Sequence, residues 1–254
     1  VSGGLRSLSW TSAAQGILVM LAVLIPVAII AVLMSQLPVP QLSHGRIMRA
    51  IVRLELAQGI PNVVADYFAF DLPGTGFEAA TRRFGSPFAN IGQGAFLMSV
   101  LAVMAGVAGQ PTLLARIGAT PGVYATRKSV GWTICLVRLI FMTMSAVGVF
   151  LREIAITDIA GLPAGQLPPW ASGLIARELI AVDTGTAKLA LSSLAIKRDG
   201  AFLILLAATE VPTAIVYMVL AGLLAAALAG AAVGIYALGT ILAEDVISGP
   251  RSEL

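Results

Sequence analysis

Residues 92–117 read GQGAFLMSVLAVMAGVAGQPTLLARI. The stretch from Gly94 to Leu114 is long enough to cross a bilayer, which takes about 20 apolar residues in a helix, yet its second half carries Gly106, Gly109, Gln110 and Pro111. Lipid offers no hydrogen bonds to a broken backbone, so an interruption at membrane depth persists only against protein or a water-filled cavity. In membrane transporters, interrupted helices build the substrate site from freed backbone groups and helix ends. This reading assigns Gly106, Ala108, Gly109, Gln110 and Pro111 to a solute path. The same small residues also permit close helix packing, and the segment by itself admits both.

The composition around this segment is that of a membrane protein. Of 254 residues, 58% are hydrophobic and 11% charged, against about 25% charged in an ordinary soluble domain. Sixteen basic and thirteen acidic residues leave a net charge of +3. Basic residues near membrane ends have a topological explanation, so nucleic acid is not implied. Cys135, the single cysteine, lies in an apolar span and reads as a small buried hydrophobe. His44, the single histidine, has no Cys or His companions in its polar segment, so no metal site is expected. Nothing resembles a catalytic triad, a phosphate loop or a metal cluster, so an enzyme is not indicated. The chain starts at Val1 with VSGG and has no signal-peptide n-region; the expectation is a sequence that starts inside a longer protein.

The pattern predicts an all-α integral membrane domain covering 1–254, with about four transmembrane helices at 15–34, 94–114, 130–150 and 211–242. Pro26 is expected to kink the first, because proline removes a backbone donor and crowds the preceding turn. Two longer polar segments, 36–91 and 151–210, join the spans. Within the first, HGRIMRAIVRLELAQG (44–59) places Ile47, Ile51, Leu54 and Leu56 among Arg46, Arg49 and Arg53, the pattern of an amphipathic helix lying on a surface. The rest of that segment reads as irregular loop. In the second, a short helix is expected near Trp170–Leu179, and no strand-rich domain is visible. The short loop 115–129 holds Arg116, Arg127 and Lys128 and no acid. The positive-inside rule puts it in the cytoplasm, with both long loops outside and both chain ends inside.

Four segments resemble the sodium/solute symporter family, in its acetate and monocarboxylate permease branch. GGLRSLSWTSAAQG (3–16) is similar to the family's Gly-Gly-basic entry to a core helix. GVAGQPTLLARIGATPGVYATRKSVGW (106–132) resembles its Gly-x-Ala-Gly-x-Pro turn and the basic run after it. LPPW (167–170) matches an external-loop motif. The segment from Leu194 to Leu238 resembles the loop and helix that precede a cytoplasmic His-Asp pair, which stands here as Glu244-Asp245. The resemblance implies the inverted-repeat, broken-helix fold of sodium-coupled symporters, of which this chain supplies core helices five to eight. It implies a bacterial cytoplasmic membrane, a small organic anion such as acetate as solute, and alternating access with sodium or proton coupling. Other membrane subunits are expected partners, because the first and last core helices are missing.

Two positions bear on coupling. Relatives place Ser, Thr and often Asp in the small-residue run of the last span. By ungapped comparison these fall on Ala229, Gly230 and Ala232, none of which has a side-chain oxygen for a sodium ion; a tight helix seam is the competing explanation of that run. Arg138 sits about eight residues inside the third expected span. Burying it costs about 2.5–3.5 kcal/mol on insertion scales, which suggests a fixed charge standing in for the cation or facing an anionic solute, or else an arginine held by carbonyls or an acidic neighbour. The 183–186 run, Asp-Thr-Gly-Thr, occupies the place of an Asp-rich loop in relatives, but Ala187, Lys188 and Leu189 follow, so no calcium is expected. No cofactor is implied beyond the coupling ion. The alternative to a transporter domain is a transport-inactive, symporter-derived subunit with a structural or sensory role.

Overall fold

Apolar residues with high helix propensity run from Gly4 to Ser35 with Pro26 inside them, and they form one helix, α1 (Gly4–Ser35), in the computed structural model. The structure describes residues 4–58, 93–118, 122–163, 166–182, 189 and 194–243. The irregular loop expected after residue 59, the 183–186 run and the Glu244-Asp245 pair lie outside these residues. The helix does not end at Pro26. It ends where Gln36 turns into the left-handed region (φ 59) and its amide closes on the Val32 carbonyl at 2.9 Å.

Pro40 then opens α2 (Pro40–Gln58) at a first-turn position, where its missing N–H costs nothing. The apolar stretch around the glycines forms two helices, α3 (Gln93–Ala108) and α4 (Pro111–Gly118). A long helix follows, α5 (Val123–Ile154), and continues into a π turn over Ala155–Ile159. Arg127 and Lys128, expected in a loop, therefore sit in the first turns of α5. Next come α6 (Pro169–Ile175), a two-stranded antiparallel pair β1 (Ile180–Val182) and β2 (Leu194–Ile196), and α7 (Ala201–Ala208). The strand register pairs Ile180 with Ile196 and Val182 with Leu194. Glu210 (φ 48) and Pro212 separate α7 from the last helix, α8 (Thr213–Ile241).

Three helical stretches are long and apolar enough to cross a membrane: Ser7–Ser35, Val123–Ile159 and Thr213–Ile241. Together with the composition they make the chain an integral membrane protein, mostly helical. The expected span at 94–114 is instead divided. At 1.5 Å per residue, the 16 residues of α3 reach about 24 Å, short of the ~30 Å hydrocarbon layer. The strand pair and α7 are the parts of 151–210 that the sequence reading did not contain; three-residue strands are too short to show a period, and the eight apolar residues of α7 are too few to read as a span.

The chain divides into two compact units: residues 1–25, 98–140 and 217–254, and residues 26–97 and 141–216. The second unit holds a core of large branched side chains, with Ile30, Ile51, Phe150, Ile156, Ile204 and Leu205 at 0–1% exposure. In it α2 turns Ser43, Ile47, Ile51 and Glu55 inward at a spacing of four, while Leu56 is 54% exposed. The amphipathic helix thus buries its apolar face in protein, and the buried stripe ends on Glu55 rather than Leu56. The reason is an ion pair: Arg152 donates from both Nε (3.2 Å) and Nη2 (3.0 Å) to Glu55 Oε1. At the other end of α2, Gln41 Nε2 donates to Thr143 Oγ1 at 2.6 Å.

The first unit is built differently. Its buried apolar side chains among the described residues are Ala22, Val219, Ala225 and Ala237, and α3 buries none. Apolar side chains facing lipid gain nothing by moving inward, so helices in a bilayer associate through close contact of small residues. Gly222 of α8 provides that contact. A Cβ there would collide with Ala22 Cβ of α1 and lie 3.6 Å from the Leu18 carbonyl oxygen. Cys135, expected to be buried, is exposed on α5 in this unit.

Candidate functional site

The interruption between α3 and α4 follows from Pro111. In a continuous helix the Val107 carbonyl would receive the amide of residue 111, which proline lacks. It receives Gln110 N instead, at 3.2 Å, while Gly109 N still reaches Ala105 O at 2.9 Å. The Gln110 carbonyl then accepts from both Leu113 N (3.0 Å) and Leu114 N (3.2 Å), starting α4 with Pro111 in its first turn. Two residues, Gly109 and Gln110, thus lie between the helices.

The break faces a cavity of about 580 Å³ inside the first unit, a volume in the range of small-molecule sites. Four helical segments wall it. From α1 come Ser12, Gly16 and Met20; from the break, Gln110 and Thr112; from α5, Thr133, Val137 and Ile140; from α8, Ala229, Gly230 and Val233. The α1 and α5 sets repeat at three or four residues, which is one face of a helix. Among the described residues the lining carries no charged side chain. Its polar groups are hydroxyls and one carboxamide. Thr133 Oγ1 donates to the Ser129 carbonyl at 2.9 Å, leaving the hydroxyl oxygen to accept.

Of the residues assigned to a solute path or an ion site, the cavity brings together Gln110, Ala229 and Gly230. Gly106, Ala108, Gly109, Pro111, Arg138 and Ala232 are not in its lining. Arg138 is the sixteenth of the 32 residues of α5. It is exposed, while Val137 beside it lines the cavity. Close packing through the glycines of the break is not seen, since a Cβ on Gly106 would meet nothing within 4 Å and one on Gly109 only the Ala105 carbonyl oxygen, at 3.4 Å. On the last helix the close contact is at Gly222, ahead of the run in which a seam is expected, and two turns further on Ala229 and Gly230 line the cavity, where a Cβ on Gly230 would again meet nothing.

Sequence reasoning did not single out Ser12, Thr112 or Thr133. Hydroxyls are common in apolar helices, where they bond the carbonyl one turn back, and only the convergence of three helices distinguishes these. Among the described residues no cluster of three or more His, Cys, Asp or Glu side chains is placed to hold a metal ion.

The chain matches no protein-family profile and no solved structure. It is similar to an uncharacterized symporter of Cupriavidus necator, 29% identical over 75 residues. That match covers 30% of this chain and 11% of the relative, so the chain aligns with about a ninth of the relative's length.

Proposed function

We propose that this chain is part of a secondary active transporter for a small organic anion such as acetate, working by alternating access and coupled to sodium or protons. One observation carries the reading: a helix interrupted at Gly109–Gln110 places Gln110 and Thr112 on an open cavity of about 580 Å³. An interrupted helix beside a cavity is the arrangement by which transporters bind solute at membrane depth. The solute site is the lining at Gln110, Thr112, Ala229 and Gly230, with Ser12 and Thr133 opposite. The N-terminal end of α4 at Thr112 carries the positive end of the helix dipole, which favours negative charge, and this supports an anionic solute. Similarity to a protein named a symporter points the same way.

A second reading, a transport-inactive subunit of a larger membrane assembly, is favoured by Ala229, Gly230 and Ala232, which offer a cation no side-chain oxygen. Uptake of labelled acetate into liposomes holding this chain separates the two. The transporter reading expects uptake that Gly230→Leu, which fills the cavity, lowers about tenfold or more, and that Thr112→Val also lowers. Such uptake by this chain would contradict the subunit reading.

A further inference from the structure

The outward face of α2 has no role in the cavity or in the core. Ser43, Ile47, Ile51 and Glu55 turn inward at a spacing of four. Leu42, Arg46, Arg49, Arg53 and Leu56 recur at alternating four and three residues and are all exposed. By the 3.6-residue period the two rows lie on opposite sides of the helix. The outward row is therefore three guanidiniums in line, with a leucine at each end exposed by 72% (Leu42) and 54% (Leu56). The acid within α2, Glu55, is turned inward onto Arg152. Among the described residues the ion pairs are Arg152–Glu55 and Lys197–Glu178, and neither involves the row.

We propose that this row docks on the headgroups of anionic phospholipids, its guanidiniums on the phosphates and Leu42 and Leu56 in the apolar margin. The bilayer is the occupant at hand. Four residues separate the apolar stretch Ser7–Ser35, long enough to cross a membrane, from α2, and that link exposes Leu37 and Val39. Guanidinium forks match phosphate oxygens in pairs, and arginine stems lie along apolar surface while their heads stay wet. An acidic protein would satisfy the arginines but not the two exposed leucines. Because the apolar face of α2 is already used by the protein, the helix does not sink into lipid as a free amphipathic helix does. It rests there by charge, and its lipid selectivity follows from that.

Each basic residue near an anionic surface strengthens binding about fivefold, and three about a hundredfold. The test is native mass spectrometry of the whole chain released from micelles containing equal phosphatidylglycerol and phosphatidylcholine. The wild-type chain is expected to retain phosphatidylglycerol preferentially, and less so as salt is raised. Arg46→Gln/Arg49→Gln/Arg53→Gln is expected to lose the preference by about a hundredfold, whereas the corresponding triple lysine variant keeps most of it. Arg177→Gln/Lys197→Gln, at exposed basic residues elsewhere in the same unit, should leave the preference intact. Circular dichroism and melting temperature establish that each variant is folded. A wild-type chain with no preference, a glutamine variant that keeps it, a lysine variant that loses it, or an equal loss at Arg177 and Lys197 would each overturn the proposal.

Discussion

Replacing Gly222 by alanine tests the seam that joins α1 and α8. The new methyl would collide with Ala22 Cβ, whereas its next neighbours, the Leu18 carbonyl oxygen at 3.6 Å and Ala22 Cα at 3.7 Å, are at ordinary contact. The whole conflict is thus one pair of methyl groups, which need about 3.5–4.0 Å between carbons. Overpacking of this kind costs about 1–3 kcal/mol, and the gain in helix propensity from glycine to alanine returns about 1 kcal/mol. A net loss of about 0–2 kcal/mol is expected. Ala22→Gly alone loses about 1 kcal/mol of propensity and about 0.8 kcal/mol of methyl contact. In the exchanged pair, Gly222→Ala with Ala22→Gly, propensities cancel and the residue 222 methyl finds only the two ordinary contacts. The double variant should therefore be near wild type, with a coupling of about 2–4 kcal/mol between the sites. Denaturant titration in mixed micelles, read by circular dichroism, measures the cycle. Additivity within about 0.5 kcal/mol, the behaviour of independent sites, would falsify the seam.

Glu55→Ala should destabilise the second unit by about 3 kcal/mol or more, because it leaves the Arg152 guanidinium without the carboxylate it bonds twice; Glu55→Met with Arg152→Met should recover most of the loss in the same titration. Gln41→Ala removes the 2.6 Å bond to Thr143 and should cost about 1 kcal/mol, seen as faster hydrogen exchange in the first turns of α2. Gly161→Val should lower the melting temperature through backbone strain of about 1–2 kcal/mol. Gly161 has φ 85 with open space around it, and an unchanged melting point would show that the turn relaxes. In acetate uptake, Arg138→Ala and Arg138→Lys should behave as wild type, since Arg138 is absent from the cavity lining; loss in both would return it to the solute path.

Length, apolarity and the sparse charge of this chain already determine a helical membrane protein, because no other arrangement lets runs such as 211–242 satisfy their backbone in lipid. Pro111 after Gly109-Gln110 likewise determines the interruption, since a missing N–H and a weak helix former, Gly109, act locally and need no tertiary partner. What lies across a gap in sequence was beyond such local rules. Leu56 and Glu55 are neighbours, and hydrophobicity chose the first for burial; Arg152, 97 residues away, decided for the second. The small-residue run of α8 reads the same along its length, yet only the approach of Ala22 makes Gly222 a contact and leaves Ala229 and Gly230 to a cavity. The hydroxyls of Ser12, Thr112 and Thr133 carry no periodic signal that sets them apart. They become a lining because three helices turn those faces toward one space, and the packing of helices in lipid is set by shape rather than by hydrophobic pattern.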